Sequence, residues 1–214
     1  MSKVVETLAR LRLIPMVVTD HADHAATFGD MLVTGGLPVA EVTFRTPAAE
    51  QAVRILSKRG DLLVGAGTIL TTQQADRAID AGAQFLVSPG TNPEVVEHVV
   101  MRGVPIVPGV ATPSEIEQAI VLGATALKFF PAETMGGVAA LKAFAGPYPE
   151  ARFIPTGGIT PEMLPSYLRL KNVIACGGSW LAPRDLLAAG RFDAVAALIE
   201  QAVKLLAGPP EIAT

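Results

Sequence analysis

Eight short, largely apolar runs recur along the chain, at Ile14–Val18, Val39–Phe44, Leu62–Ala66, Gln84–Val87, Pro105–Val107, Ala124–Phe129, Arg152–Thr156 and Val173–Cys176. Their starts lie 25, 23, 22, 21, 19, 28 and 21 residues apart, which is what one strand, one helix and two loops consume. The intervening stretches have helical periodicity: Asp23–Thr34, Ala48–Arg59, Thr72–Ala81, Pro93–Met101, Pro113–Leu122, Val138–Phe144 and Pro161–Arg169. Start signals precede several of them, with Thr46-Pro47, Asn92-Pro93, Thr112-Pro113 and Thr160-Pro161 each placing a capping residue before a proline at the first helical position. Gly35-Gly36, Gly60, Gly82, Gly103 and Gly123 supply the stops. Nearly continuous apolar strands belong in a parallel sheet covered by helices.

Eight such units predict an α/β chain of the (β/α)8 TIM-barrel class, with an added N-terminal helix over Ser2–Leu11 and a last helix over Asp193–Leu206. An open doubly wound sheet also alternates strand and helix. It is disfavoured because no G-x-G-x-x-G follows the first run and because polar residues close nearly every run. No linker or low-complexity tract divides the chain, so residues 1–214 are expected to form one domain, with a frayed tail at Gly208-Pro209-Pro210.

Composition narrows the class further. Hydrophobic residues make up 50% and charged residues 17%, which excludes a disordered chain. The net charge of −3 comes without any basic block, so a nucleic-acid partner is not expected. Mean hydropathy is +0.42, yet no apolar stretch is long enough to predict a membrane span. The first residues mix charges with apolar side chains and do not resemble a secretory signal. A single cysteine, Cys176, excludes an internal disulfide and suits a reducing cytoplasm.

In a barrel, chemistry collects where strands end. Lys128 sits inside Ala126-Leu127-Lys128-Phe129-Phe130. Its plainer reading is a lysine that snorkels or pairs with a carboxylate. The sharper one is a Schiff-base nucleophile, because a dry apolar setting favours the uncharged amine that attacks a carbonyl. Strand alternation over Ala40–Arg45 puts Glu41, Thr43 and Arg45 on one face. That pattern fits either an ion pair or a general base beside an anion clamp. Thr156-Gly157-Gly158 after the seventh run and Gly177-Gly178-Ser179 after the eighth fit a phosphate cradle, since glycines let backbone N–H groups approach phosphate oxygens. His21, His24 and His98 stand apart from any carboxylate cluster, so a metal site is not expected. Met101 and Met163 read as helix packing, Cys176 as a small buried hydrophobe, and Trp180 as a pocket cap or a packing residue.

Taken together, Glu41-Val42-Thr43-Phe44-Arg45-Thr46, Val64-Gly65-Ala66-Gly67-Thr68, Ser88-Pro89-Gly90, Lys128-Phe129-Phe130-Pro131-Ala132-Glu133, Pro155-Thr156-Gly157-Gly158-Ile159 and Gly177-Gly178-Ser179-Trp180-Leu181 resemble the 2-keto-3-deoxy-6-phosphogluconate (KDPG) aldolase family, in order, from about Ile14 to Leu206. The resemblance implies a class I aldolase of the Entner–Doudoroff pathway that also takes 4-hydroxy-2-oxoglutarate (KHG), needs no cofactor and assembles as a homotrimer. It implies Lys128 as the Schiff-base residue and Glu41 as the proton-transfer residue. Arg45 and Thr68 match contacts to the pyruvate carboxylate, Pro89 and Phe130 the pocket wall, and Thr156, Gly157, Gly158, Gly178 and Ser179 the phosphate end. Two other functions stay open at this point. One is a sibling aldolase for the C4-epimeric galactonate substrate; the other is a non-catalytic barrel that senses a sugar phosphate.

Overall fold

The computed structural model describes residues 2–207; the tail at Gly208-Pro209-Pro210 lies outside the described residues. Helix α1 (Lys3–Leu11) is capped by Ser2, whose hydroxyl accepts from the Val5 N–H at 3.3 Å. The elements then alternate: β1 (Leu13–Val17), α2 (Ala25–Thr34), β2 (Val39–Thr43), α3 (Ala49–Ser57), β3 (Leu63–Gly67), α4 (Thr72–Asp80), β4 (Phe85–Val87), α5 (Pro93–Met101), β5 (Ile106–Val107), β6 (Gly109–Val110), α6 (Pro113–Val121), β7 (Leu127–Phe129), α7 (Gly137–Phe144), β8 (Phe153–Pro155), α8 (Leu164–Leu168) and β9 (Cys176–Gly178). Two helices follow, α9 (Arg184–Ala188) and α10 (Phe192–Ala207). No helix among the described residues is long and apolar enough to cross a membrane.

All strand pairs are parallel. They form a six-stranded sheet in the order β5-β4-β3-β2-β1-β9 and a three-stranded sheet in the order β6-β7-β8. The expected fifth run, Pro105–Val107, supplies β5 in the first sheet; past Pro108, which has no N–H to give to a ladder, the chain adds β6 in the second. At the other side, the isolated bridge Thr156↔Gly177 joins the end of β8 to β9, and Phe153 of β8 bridges to Val173 ahead of β9. The parallel α/β class is therefore as expected, but the strands are not one uninterrupted eight-membered ladder.

Local chemistry explains most boundaries. Helix α5 starts where Asn92 accepts from the Glu94 N–H at 3.1 Å, with Pro93 in the first turn. Helix α6 starts with a reciprocal cap: Thr112 accepts from the Glu115 N–H, while the Glu115 carboxylate takes the N–H groups of Ala111 and Thr112 at 2.7 and 2.9 Å. Burial opposes ionisation of that carboxyl, but these hydrogen bonds outweigh it and hold Glu115 below its ordinary range. Thr46-Pro47 and Thr160-Pro161 do not cap as expected. Helix α3 begins at Ala49 and Thr46 donates instead to the Thr19 carbonyl. Helix α8 begins at Leu164, because Pro165 has no N–H and fits only in a first turn. The last strand also shifts, from the expected Val173–Cys176 to Cys176–Gly178, because pairing with Leu13–Pro15 of β1 fixes its register.

Helices present apolar stripes to the sheets, such as Val95, Val96 and Val99 of α5, and every residue of β1 and β2 is buried. Each such Val or Leu, fully buried, contributes about 1.5–3 kcal/mol relative to exposure. Gly65 leaves the space that the Phe85 ring occupies on the neighbouring strand. The strand rows are thus filled by side chains, with Glu41 and Lys128 buried among them.

Candidate active site

Strand β2 carries Glu41 in register with Met16 of β1 and Gly65 of β3. Strand β7 carries Lys128 in register with Gly109 and Ile154. Both side chains are buried, each residue 3% exposed, and Lys128 Nζ lies 3.4 Å from Glu41 Oε1. That separation exceeds the roughly 2.7–2.9 Å of a close charge-assisted hydrogen bond. Taking two charges out of water can cost as much as their attraction returns, so a buried pair of this kind is weak evidence of a stabilising role. Among the described residues, no other ion pair is buried on both sides. A buried amine beside a buried carboxylate can serve as nucleophile and proton carrier. Phe130 completes this end of β7, its ring centroid 5.3 Å from Lys128 Nζ.

Neighbouring glycines give Glu41 its position. A Cβ at Gly67 would collide with the carboxylate and with Cγ of Glu41. Gly109, the register partner of Lys128, has no room for a side chain against the Pro89 carbonyl. Pro89 is half-buried beyond β4, next to Ser88, whose hydroxyl donates to the Gly90 carbonyl at 2.7 Å.

Arg45 departs from the expected face shared with Glu41 and Thr43. The strand stops at Thr43, whose hydroxyl is spent on the Val17 carbonyl at 3.0 Å. Arg45 lies in the following turn, its N–H bonded to the Thr43 carbonyl, and its Nε donates to Thr68 Oγ1 at 2.9 Å. Thr68 has φ +59°, a left-handed conformation uncommon outside glycine. Guanidinium and hydroxyl together make a polar rim beside Gly67 that suits a carboxylate. No hydrogen bond or ion pair joins Arg45 to Lys128 or Glu41; Gly67, which precedes Thr68 in the chain, lies against the Glu41 carboxylate.

On the other side, Thr156 is buried at the end of β8 and bridges to Gly177, whose missing side chain leaves room for the Thr156 hydroxyl. Gly157 and Gly158 follow with φ +103° and +80°, values that glycine tolerates and other residues resist. Gly158 N–H donates to no backbone acceptor among the described residues. Ser179, exposed, opens the single 3₁₀ turn Ser179–Leu181 after β9. Gly178 itself faces Trp180 and Leu181 rather than Thr156. Trp180 packs there, its buried indole N–H without an acceptor among the described residues. The sequence offers Gly177 only as part of a phosphate cradle and Gly67 only within a motif; the space each leaves for Glu41 or Thr156 is visible in the structure alone. A glycine in or at the end of a strand marks a place where another group comes close, and both stand directly after an expected apolar run.

Elsewhere, His24 Nδ1 meets the Leu187 carbonyl and His98 pairs with Asp76, both at 2.9 Å. Burial pushes the Cys176 thiol up to about 12, so it stays a protonated packing group. Among the described residues, no group of three His, Cys, Asp or Glu side chains gathers at one point.

Comparison with known proteins bears on this geometry. The family model described as "Aldolase: KDPG and KHG aldolase" matches residues 4–198. A 2-dehydro-3-deoxy-phosphogluconate aldolase of Treponema pallidum is 46% identical over 207 residues, 96% of this chain and 99% of that protein. A KHG/KDPG aldolase of Escherichia coli K12 is 43% identical over 193 residues, 90% of this chain and 91% of its own length. The crystal structure of KDPG aldolase from Legionella pneumophila, with pyruvate captured as a covalent carbinolamine intermediate, superimposes with a TM-score of 0.89 at 36% identity, covering 93% of this chain and 97% of that one. With its parallel α/β fold, its buried lysine–glutamate pair and likeness along nearly its whole length, this chain belongs to the KDPG and KHG aldolase family.

Proposed function

We propose that the chain is a class I aldolase that cleaves KDPG to pyruvate and glyceraldehyde 3-phosphate and also takes KHG. The observation that carries this reading is the buried contact of 3.4 Å between Lys128 Nζ and Glu41 Oε1. In the proposed cycle the uncharged Lys128 amine attacks C2 of the substrate, forming a carbinolamine. Loss of water gives an iminium that draws electrons from the C3–C4 bond. Glu41, directly or through a water, takes the C4 hydroxyl proton; the C3–C4 bond breaks, glyceraldehyde 3-phosphate leaves, and an enamine of pyruvate remains. Glu41 returns the proton to C3, and water frees pyruvate and the amine.

Arg45 and Thr68 hold the carboxylate in this reading, and Pro89 and Phe130 wall the pocket. Thr156, Gly157, Gly158, Gly178 and Ser179 receive the phosphate. Fixing the substrate at both ends aligns the bond to be broken with Glu41. The lysine adduct is the electron sink, so the proposed cycle uses no cofactor. Residues 1–214 are taken as one domain, its two sheets forming a single eight-stranded barrel divided at Pro108. The working form is taken as a cytoplasmic homotrimer of the Entner–Doudoroff pathway, by likeness to the family. A coupled assay that follows pyruvate release from KDPG and from its C4 epimer tests the function. Preferred cleavage of KDPG supports it, and preferred cleavage of the epimer or of neither substrate contradicts it.

A further inference from the structure

We infer that Glu133 and Tyr167 act together as positioning residues for the substrate's phosphate, holding the Gly157–Gly158 loop in place; this rests on the phosphate end assigned under the proposed function. Glu133 belongs to the connection between β7 and α7, and it reaches both ends of the segment that runs from Thr156 to Tyr167. At the near end, its N–H donates to the Gly157 carbonyl at 3.1 Å, beside the Ala132 N–H that donates to Thr156 at 2.8 Å. Its Cβ occupies the space that a side chain at Gly158 would need, 2.8 Å from that position. At the far end, its carboxylate accepts the phenolic hydrogen bond of Tyr167 on α8.

The two partners differ in a way that suits a clamp. Tyr167 is 1% exposed and fixed by the core, whereas Glu133 is an exposed loop residue. Burial, and then the Glu133 carboxylate, push the Tyr167 phenol well above its ordinary range, so it remains a donor across physiological pH. A rigid donor therefore fixes the carboxylate, the carboxylate fixes the backbone of residue 133, and that backbone fixes the glycine turn. Neither side chain approaches Lys128 or Glu41 among the contacts described, so the clamp serves the remote end of the substrate and not the bond being broken.

The test uses the intact enzyme and two reactions that share the chemistry but not the phosphate: KDPG cleavage, and deuterium exchange into the methyl group of pyruvate. Tyr167→Phe removes one oxygen from a core ring and leaves the packing, and the released carboxylate stays at an exposed position. Losing one hydrogen bond from the clamp is expected to raise KM for KDPG about 3- to 10-fold while kcat and pyruvate exchange move less than about 2-fold. Glu133→Ala is expected to match it, and Glu133→Gln to recover part of the loss, because an amide oxygen still accepts from the phenol. The double variant Glu133→Ala/Tyr167→Phe should be no worse than either single one. Equal loss of both reactions, additive losses, or an unchanged KM for KDPG would overturn the clamp. Failure of the unaltered protein to cleave KDPG would instead remove the aldolase reading on which the clamp rests.

Discussion

The carboxylate of Glu41 lies across the α-carbon of Gly67, in the space that any side chain there would fill. The two residues sit on adjacent strands, and Gly67 pairs in register with Thr43. The absence of one side chain thus sets the position of the group proposed to move the proton. Gly67→Ala is expected to push Glu41 aside and lower kcat by roughly 10- to 1,000-fold, given the sensitivity of proton transfer to a misplacement of about 1 Å. Lys128 is left able to form its adduct. Borohydride trapping with pyruvate should therefore persist while turnover falls, and loss of both together would place Gly67 in the fold rather than in the chemistry.

Glu41→Gln keeps the shape of the side chain and removes its basicity. Turnover is expected to fall by roughly 10²- to 10⁴-fold, the usual share of a general acid–base group. Deuterium exchange into the methyl group of pyruvate is the direct measurement, because it follows proton transfer at C3 without carbon–carbon cleavage. Exchange at the unaltered rate would take the proton-transfer role from Glu41.

Much of this arrangement is legible in the sequence, for physical reasons. Strand and helix periodicity depend on burial, and the apolar runs followed by caps at Asn92 and Thr112 report burial directly. Register is less visible. The expected alternation over Glu41, Thr43 and Arg45 holds only to Thr43, because the chain turns where the Arg45 N–H bonds the Thr43 carbonyl at 2.8 Å. The last strand moves onto Gly177 and Gly178 through pairing with β1, a long-range contact that apolar content does not report. Helix α9 has no expected counterpart: it spans five residues, and neither a Ser, Thr, Asp or Asn cap nor an extended apolar repeat precedes or carries it. Gly67 and Gly177 act through what they omit, and only their neighbours across the sheet reveal what fills the space.

Ser179 tests the remote end without disturbing packing, since it is exposed and its hydroxyl has no hydrogen-bond partner among the described residues. Ser179→Ala is expected to raise KM for KDPG by about 3- to 30-fold, the worth of one hydrogen bond to a charged group in partly wet surroundings. KHG cleavage, which involves no phosphate, should change little. Parallel loss on both substrates would move Ser179 out of the phosphate site. This variant is a cleaner probe than Gly158→Val, which would both strain a residue at φ +80° and strike Glu133.

The capping carboxylate of Glu115 gives a pH test of the fold alone. Its ionised form is favoured in the folded chain, so the stability it contributes is fully present above the ordinary carboxylate range of about 4.3. That contribution is lost as pH falls through the depressed folded value. Glu115→Gln keeps an acceptor for the Ala111 and Thr112 N–H groups but cannot ionise. Urea unfolding should find the variant less stable at neutral pH, by at most about 1 kcal/mol, with a deficit that shrinks as pH falls below the ordinary carboxylate range. A deficit that persisted or grew in acid would mean that shape, not charge, makes the cap.

The most direct test is to incubate the protein with pyruvate, reduce it with borohydride, and map the modified peptide by mass spectrometry. A reduced pyruvate adduct is expected on Lys128, 3.4 Å from Glu41, and no adduct is expected in a folded Lys128→Ala variant. An adduct on another residue, such as Lys142 or Lys171, or none at all while KDPG is still cleaved, would contradict the Schiff-base role of Lys128.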